Sequence, residues 1–474
     1  MMKRKLHAQT NRLARWDRDY LWHPFTQMRE WMHEQPVIIS RGKGPYVIDT
    51  EGRRYLDGTS SIWVNIHGHR HPRLDQALRT QVNHIAHSTL LGLSSPPAIE
   101  LARELVRIAP RGLTRVFYSD DGSTAVEIAL KMAVQYWQQR RPHAGPKQTF
   151  VKLQQAYHGD TTGAMSVGNI DVFHHRFKPL LFPTLTLDTP YCYRCPIGLT
   201  HPSCKSACIE PIERLFKRRH REIAGFIIEP LVQAAAGMLM APPGFLKQIR
   251  QLCIRYNILL IVDEVATGFG RTGRMFACDH ERITPDLMAL SKGLTGGYLP
   301  LAATLATEKI YKAFLGKFEE WKTFFHGHSY TGNALGCAVA LANLKVFQTE
   351  RTLAKLQPRI ALLRELLQPL SELRHVGEIR QCGFMVGIEL VHDRATKTPY
   401  SLAKRMGHQV TMEARRQGLL LRPLGNVIVL MPPLVTAPRE LTRMVTIIHR
   451  AIRSVTESLN ELDRPLSRRS RRGR

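Results

Sequence analysis

The sequence Ile-Leu-Leu-Ile-Val-Asp-Glu-Val-Ala-Thr-Gly-Phe-Gly-Arg-Thr-Gly fills residues 258–273 and does most to decide the fold. It begins with five apolar residues and continues at once with two carboxylates, Asp263 and Glu264. A short continuous apolar run predicts a strand buried on both faces of a parallel sheet. Ligands of such sheets gather where the strands end, so Asp263 is a candidate to pair with a ring nitrogen. The alternative is a cap for a helix or a turn.

Further apolar runs of the same kind lie earlier in the chain, at 116–118 and 226–228, and helical patterns separate them. This alternation predicts an α/β fold with a mainly parallel sheet. A chain of 474 residues is longer than one hydrophobic core usually organises. We therefore expect a small α+β domain, made from both chain ends, beside the large domain. The predicted boundaries are 1–71 for the N-terminal part of the small domain, 72–347 for the large domain, 348–463 for the C-terminal part of the small domain, and 464–474 for a basic disordered tail.

The chain is strongly basic, with 67 Lys and Arg against 39 Asp and Glu and a formal net charge of +28. Part of this excess lies in residues 464–474, and part near the N-terminus. We interpret both ends as solvated charge runs, with a nucleic-acid arm as the alternative. No apolar stretch is long enough for a membrane span, and no secretory signal follows the first residues. A cytoplasmic enzyme is therefore the expectation.

A candidate phosphate site follows the run Val116-Phe-Tyr118, where Ser-Asp-Asp-Gly-Ser fills residues 119–123 and leads into an apolar helix. Gly122 and Ser123 would offer free backbone N–H groups, a hydroxyl and the positive end of the helix dipole. These are the groups that bind a phosphate. The same residues are also explained as a helix cap without a ligand.

Lys292 is the candidate reactive amine, because it follows the apolar run of residues 287–290 and precedes the glycine-rich segment 293–297. An amine on a desolvated stem has the lowered pKa that Schiff-base chemistry requires. Residues 268–273 also satisfy G-x-G-x-x-G, the pattern of dinucleotide-binding loops. Five residues separate the strand from the first glycine and no clear helix follows, so the pattern does not indicate a nicotinamide site.

Four of the eight cysteines are clustered, as Cys192-x2-Cys195-x8-Cys204-x3-Cys208. This spacing is compatible with a tetrahedral thiolate zinc site, although its middle gap is short for one. Free thiols are the commoner outcome in a reducing compartment, so we expect no metal and keep zinc at these four residues as the alternative.

The order Gly-Ser, Tyr157-His-Gly-Asp160, Asp-Glu, Lys resembles the class III aminotransferases of fold type I, from about residue 22 to about residue 452. Within that class the chain is similar to the branch that aminates 8-amino-7-oxononanoate to 7,8-diaminononanoate in biotin synthesis. The segments that carry this closer likeness are Trp22-His-Pro-Phe-Thr-Gln-Met28, Ser60-Ser-Ile-Trp-Val-Asn-Ile-His-Gly68, Phe325-His-Gly-His-Ser-Tyr-Thr-Gly-Asn333, Arg422-Pro-Leu-Gly425 and Met431-Pro-Pro433.

The resemblance implies a pyridoxal 5′-phosphate (PLP) enzyme with ping-pong kinetics, and a homodimer with shared active sites. Its implied cofactor residues are Lys292 as the Schiff-base lysine, Asp263 at the pyridinium nitrogen, Gly122 and Ser123 at the phosphate, Tyr157 stacked on the ring, and His328 and Ser329 at the phosphate of the neighbouring subunit. Its implied substrate residues are Arg422 for the acceptor carboxylate, with Phe25, Trp63, Tyr157 and Gly327 along the channel.

Three departures from the best-known members concern the amino donor. Phe25 replaces a tyrosine, Ile62 replaces a tryptophan, and His328-Ser329 replaces Pro-Thr. They resemble a branch found in bacilli in which lysine replaces S-adenosylmethionine as donor, and losing a hydroxyl and an indole would weaken the hold on an adenosyl group. The donor therefore stays open between the two.

Two rival functions remain at this point. Another class III ω-aminotransferase, acting on putrescine, ornithine or 4-aminobutyrate, would share every PLP residue. A basic nucleic-acid binding protein is the remote alternative, and the arginine-rich tail is its only support.

Overall fold

The computed structural model describes residues 2–140, 145 and 147–462 of the chain. The predicted tail 464–474 lies outside these residues. The strands are β1 (Ile39–Lys43), β2 (Tyr46–Asp49), β3 (Arg54–Asp57), β4 (Leu113–Ser119), β5 (Thr149–Leu153), β6 (Leu185–Leu187), β7 (Ile223–Ile228), β8 (Val232–Gln233), β9 (Leu239–Met240), β10 (Leu259–Asp263), β11 (Leu287–Leu290), β12 (Ala302–Thr307), β13 (Val376–Cys382), β14 (Met385–Asp393), β15 (Thr398–Pro399), β16 (Leu419–Leu420), β17 (Arg422–Leu424) and β18 (Val427–Leu430).

The helices alternate with these strands in the middle of the chain and enclose them at both ends. They are α1 (Met2–Tyr20), α2 (Met28–Trp31), α3 (Ser60–Trp63), α4 (Pro72–Val82), α5 (Pro96–Ile108), α6 (Gly122–Arg140), α7 (Thr162–Val167), α8 (Asp171–His174), α9 (Glu210–Arg219), α10 (Phe245–Arg255), α11 (Cys278–Glu281), α12 (Glu308–Ala313), α13 (Ala334–Thr349), α14 (Thr352–Leu367), α15 (Met406–Arg416) and α16 (Pro438–Leu462).

A seven-stranded sheet in the order β4-β12-β11-β10-β7-β5-β6 forms the centre of the molecule. Strands β6, β5, β7, β10 and β11 pair in parallel, whereas β12 runs antiparallel to both β11 and β4. The three apolar runs identified in the sequence become β4, β7 and β10, and every residue of β7 and β10 is buried. The predicted α/β fold with a mainly parallel sheet is therefore confirmed.

Helix α6 covers one face of this sheet and explains why its sequence is apolar on nearly every side. Its alanines at 125, 129 and 133 are fully buried, which lets the helix approach the sheet closely, and Tyr136 and Trp137 are buried near its end. The Thr304 hydroxyl of β12 donates to the carbonyl oxygen of Ala125 at 2.8 Å, so the helix start is fixed to the sheet.

Both ends of the chain meet in a smaller, four-stranded sheet, whereas a five-stranded sheet is made of residues 376–430 alone. In the first, β16 pairs in parallel with β3, so that Leu419 lies opposite Leu56. In the other, β13, β14, β18 and β17 follow one another and β15 pairs with β14. This pairing agrees with a small domain built from both ends, although the exact domain boundaries stay a prediction. Within the described ranges, no helix is long and apolar enough to cross a membrane.

Candidate active site

A cavity of about 410 Å³ lies where five strands of the large sheet end. Strands β4, β5, β7, β10 and β11 all run in one direction, so their carboxyl ends meet at a single edge of the sheet. The segments that follow them line the cavity. We call it the reaction cavity, and its lining includes Asp120, Gly122, Ser123, Tyr157, His158, Gly159, Glu229, Asp263, Ser291, Lys292 and, from the N-terminal part of the chain, Trp63.

Lys292 begins a short 3-10 turn, Lys292–Thr295, directly after β11 and Ser291. Its backbone has a φ of 45°, a left-handed conformation that is unusual for a residue with a side chain. Its Nζ lies 4.9 Å from the centroid of the Trp63 ring. Burial lowers the pKa of the Lys292 amine, and the negative charges of Asp263 and Glu229 partly oppose this effect. A buried amine with a lowered pKa is the nucleophile that Schiff-base formation needs.

Asp263, the last residue of β10, is buried and held from two sides. Nδ1 of His158 lies 2.7 Å from its Oδ2, and the backbone N–H of Val265 donates to its Oδ1 at 3.0 Å. The two contacts fix the orientation of the carboxylate. The second ring nitrogen of His158, Nε2, is buried without a hydrogen-bond partner among the described residues.

Gly122 and Ser123 open helix α6 at the edge of the reaction cavity. Asp121 caps this helix, because its Oδ1 accepts the N–H of Thr124 at 3.0 Å. The Ser123 hydroxyl accepts the N–H of Asp160 at 3.2 Å. A Cβ at Gly122 would come within 2.6 Å of Val265, so the loop after β10 requires glycine there. The helix start is therefore capped by Asp121 and also faces the reaction cavity. The role of Gly122 and Ser123 in binding a phosphate stays a prediction.

Tyr157 is held at both ends. Its backbone N–H donates to Glu229 Oε1 at 3.1 Å, and its hydroxyl donates to Asp160 Oδ2 at 2.8 Å. Burial is the main reason that the pKa of the Tyr157 phenol is raised. The ring of Phe173 meets the Tyr157 ring edge-on, with 5.9 Å between the ring centroids.

Four of the five predicted substrate residues lie in two neighbouring cavities. Trp63 and Tyr157 line the reaction cavity, whereas Phe25 and Arg422 line a second cavity of about 940 Å³, which we call the outer cavity. Phe173 joins the two, because it contacts Tyr157 and also lies 5.2 Å, between ring centroids, from Phe25. Burial lowers the pKa of the Arg422 guanidinium, and the nearby Tyr157 phenol opposes this.

Trp63 belongs to an unusual turn. The residues of α3, from Ser60 to Trp63, have φ values of 50°, 49°, 67° and 68°, so the turn is left-handed. The buried guanidinium of Arg271 holds it, donating to the carbonyl oxygens of Trp63 at 3.2 Å and of Asn65 at 2.8 Å. Arg271 therefore fixes the position of the Trp63 ring near Lys292.

The residues 327–329 lie apart from Lys292 within one chain. Nδ1 of His328 is 2.6 Å from Oδ2 of Asp120, which itself lines the reaction cavity. The carbonyl oxygen of Ser329 accepts from Nε2 of His87 at 2.7 Å. Gly327 and Ser329 are part of neither lining described above. Their contact with a neighbouring subunit stays a prediction.

Glu229 and Asp120 are two lining residues that the sequence reasoning missed. The signal for Glu229 was present, since Phe-Ile-Ile-Glu places a carboxylate directly after β7, much as Val-Asp places one at the last residue of β10. His158 lies within the aromatic-His-Gly motif, but nothing in the sequence showed that it would contact Asp263.

The clustered cysteines, Cys192, Cys195, Cys204 and Cys208, line one small enclosed cavity away from Lys292. Burial raises the pKa of the Cys208 thiol to about 11 and also raises that of Cys192. Over the part of the chain that the structure describes, no group of three or more His, Cys, Asp or Glu side chains is arranged to hold a metal ion. Whether these four cysteines hold zinc stays a prediction.

Known proteins resemble this chain along nearly its whole length. The family model of the class-III aminotransferases matches residues 27–452. A protein of Geobacter sulfurreducens named adenosylmethionine-8-amino-7-oxononanoate aminotransferase is 55% identical over 94% of this chain and 98% of its own length. A protein of the same name from Aquifex aeolicus is 51% identical, over 94% of this chain and 98% of its own.

Solved structures show the same likeness. The crystal structure of adenosylmethionine-8-amino-7-oxononanoate aminotransferase from Methanocaldococcus jannaschii has a TM-score of 0.89 and 44% identity, and covers 94% of this chain and 99% of that one. The omega transaminase from Pseudomonas jessenii, in complex with PMP, has the same TM-score at 31% identity, covering 94% of this chain and 99% of its own.

Proposed function

This chain belongs to the class-III aminotransferases, and from that premise we propose that it transfers an amino group to 8-amino-7-oxononanoate, forming 7,8-diaminononanoate in biotin biosynthesis. The family is PLP-dependent. The observation that carries the proposal is the reaction cavity, where the buried amine of Lys292 and the buried carboxylate of Asp263 face one space at adjacent strand ends. The specific acceptor rests on relatives of the same printed name at 55% and 51% identity.

The residues of the reaction cavity fit PLP by their chemistry. The cavity volume of about 410 Å³ lies within the range of small-molecule and cofactor sites. An amine, an acid, the start of a helix and the face of an aromatic ring converge on it. Nε1 of Trp63 and Nε2 of His158 are buried there with no hydrogen-bond partner among the described residues, so polar atoms remain available for a ligand.

PLP, when bound, supplies an electron sink for the charge that develops at the substrate carbon. Lys292 would hold the cofactor until a donor amine displaces it. Its free amine would then take the proton from the donor carbon as a base and give it up again as an acid. Burial lowers the pKa of this amine, so it becomes neutral at a lower pH than the amine of an exposed lysine. Asp263 would pair with the ring nitrogen, and its contacts with the His158 ring and the backbone N–H of Val265 hold its carboxylate in place.

The other cavity residues position rather than transfer. Gly122 and Ser123 would hold the phosphate at the start of α6, and Tyr157 would cover one face of the ring. The Trp63 ring, whose centroid lies 4.9 Å from Nζ of Lys292, would narrow the space next to this amine. These roles follow the family resemblance together with the geometry of one cavity.

Arg422 would bind the carboxylate of the acceptor from the outer cavity. The cavity is roomy, and its aromatic rings Phe25 and Phe173 suit an aliphatic chain that runs from the carboxylate toward Lys292. A guanidinium can hold a carboxylate with two parallel hydrogen bonds, which fixes the length and direction of the acceptor. The requirement for an acidic tail separates this function from amine-specific transamination.

We extend the proposal to a homodimer in which residues 327–329 complete the phosphate site of the partner. His328 lies beside Asp120 at the cavity edge, and the neighbouring Phe325 and Tyr330 are strongly exposed in the single chain. Exposed aromatic side chains of this kind are typical of an interface. Mixing Lys292→Ala and His328→Ala chains should restore part of the activity if sites are shared.

The test of the function is a defined assay with purified protein, PLP and one donor at a time. With 8-amino-7-oxononanoate as acceptor, mass spectrometry should find 7,8-diaminononanoate. The rival ω-aminotransferase would instead consume putrescine, ornithine or 4-aminobutyrate with pyruvate or 2-oxoglutarate as acceptor, as the likeness to omega transaminases allows. Turnover of these amines without turnover of 8-amino-7-oxononanoate would overturn the proposal.

A further inference from the structure

Glu229 lies directly after β7, on the floor of the reaction cavity. Its side chain is buried, with 6% of the residue exposed. Oε1 accepts the backbone N–H of Tyr157 at 3.1 Å, and Oε2 accepts the backbone N–H of Ala234 at 2.9 Å. Tyr157 lies in the loop after β5, and Ala234 follows β8. Each carboxylate oxygen therefore fixes a different loop.

Two converging N–H groups require a side chain that only accepts hydrogen bonds. An ionised carboxylate meets this requirement, whereas an amide or a protonated acid brings a donor to one of the two positions. Burial raises the pKa of Glu229 to about 7, with Asp263 acting in the same direction and His158 against it. The two backbone donors oppose the effect of burial and favour the charged form.

We propose that Glu229 is a positioning residue of the transamination site, whose carboxylate fixes Tyr157 at the reaction cavity and acts on the Lys292 amine, which lines the same cavity. This inference rests on the proposed function, because it concerns the same cavity and the same cofactor.

The first part of this role follows from the contacts of Tyr157. Its hydroxyl is held by Asp160, so the bond from its N–H to Glu229 fixes the other end of the residue. The edge-on contacts from Tyr157 to Phe173, and from Phe173 to Phe25, continue into the outer cavity. Loss of the Glu229 bond would therefore loosen the ring that covers the cofactor and the wall of the acceptor channel.

The second part is electrostatic. Burial lowers the pKa of Lys292, Arg271 lowers it further, and the charges of Asp263 and Glu229 raise it. Asp263 is needed at the ring nitrogen, so Glu229 is the carboxylate that can be changed without removing a proposed cofactor contact. Replacing it with a neutral group should let Lys292 lose its proton at lower pH than in the wild type. A carboxylate with only a structural role would not move that titration.

The experiment compares Glu229→Gln with Glu264→Gln. Glu264 is a matched control: it is also fully buried, burial also raises its pKa to about 7, and its oxygens accept from Thr267 and Cys278 outside the reaction cavity. In PLP-free protein, the pH midpoint for acylation of Lys292 is followed by peptide mapping. It should move to lower pH in Glu229→Gln and stay in place in Glu264→Gln.

Cofactor affinity gives an independent measurement. Glu229→Gln leaves a donor facing a backbone donor, so the PLP dissociation constant should rise about tenfold, the equivalent of roughly 1.4 kcal/mol. Glu229→Asp keeps the charge on a shorter stem and should keep the Lys292 midpoint while still weakening PLP. If Glu229→Gln fails to fold, the Lys292 midpoint and the PLP affinity of Glu229→Asp still test the role of Glu229.

A Lys292 midpoint that is the same in Glu229→Gln, or that moves in Glu229→Asp, would overturn the inference. So would a loss of PLP affinity no larger than in Glu264→Gln. These results are separable from failure of the proposed function, which would show as wild-type protein that binds PLP without aminating 8-amino-7-oxononanoate.

Discussion

Replacing Arg422 with alanine gives the most direct test of how this site selects its acceptor. Arg422 begins β17 and lines the outer cavity, where burial already lowers the pKa of its guanidinium. Removing one partner of a buried, hydrogen-bonded charge pair costs about 2–5 kcal/mol. Arg422 is only half-buried, so we expect the lower part of that range, about 2–3 kcal/mol, which corresponds to a roughly 30- to 150-fold fall in acceptor kcat/KM.

The two half-reactions can be measured separately, because transamination of this kind is ping-pong. Arg422→Ala should raise the KM for 8-amino-7-oxononanoate far more than the KM for the donor. Arg422→Lys keeps the charge but loses the planar guanidinium, so its KM for 8-amino-7-oxononanoate should lie between those of the wild type and Arg422→Ala. Arg416→Ala removes an arginine of α15 whose side chain is 75% exposed, and should leave both constants unchanged. Equal losses in the two half-reactions would refute the assignment of Arg422 to the acceptor carboxylate.

Three further predictions concern the lysine, the donor and the response to pH. Lys292→Ala should abolish transamination, and borohydride reduction of the yellow wild type followed by peptide mapping should place the label on Lys292; a label on another lysine would contradict this. Lysine should bleach the visible absorbance at least as well as S-adenosylmethionine, since Phe25 and Ile62 stand where the best-known members carry a tyrosine and a tryptophan, whose hydroxyl and stacking surface would favour an adenosyl group. Bleaching by S-adenosylmethionine alone would favour the commoner donor. Burial raises the pKa of Glu264 from 4.5 to about 7. The contribution of this side chain to stability is therefore complete below pH 4.5 and is lost as the pH rises through 7. Between these two pH values, the unfolding free energy of Glu264→Gln measured in urea should fall less than that of the wild type.

The chemistry at the strand ends was predictable from the sequence because each signal is local. Asp263 and Lys292 each follow a continuous apolar run, and in a parallel sheet such residues must meet at one edge. The Gly122-Ser123 pair precedes an apolar helix and could be placed by the same rule. The mainly parallel sheet itself followed from the spacing of these runs.

Contacts between distant parts of the chain had no such signal. The pairing of Leu419 with Leu56 joins two very short strands more than 350 residues apart, and no local pattern indicates that these two strands pair. The contact of His158 with Asp263 depends on the order of β5, β7 and β10 in the sheet, which the sequence does not state. The division of the substrate residues between two cavities likewise depends on where Phe173 lies.

The left-handed turn of residues 60–63 has a consequence for how the protein fails on heating. A left-handed conformation costs about 1–2 kcal/mol for each residue that carries a side chain, so this turn persists because Arg271, Asp57 and the carbonyl oxygen of Met431 hold it. Regions of this kind open at lower free energy than the core sheet. Heat inactivation should therefore start beside Trp63, while the far-ultraviolet circular dichroism of the sheet and helices is still intact. A screen for longer shelf life should recover replacements near the exposed Ile62 sooner than replacements in the already well-packed β10.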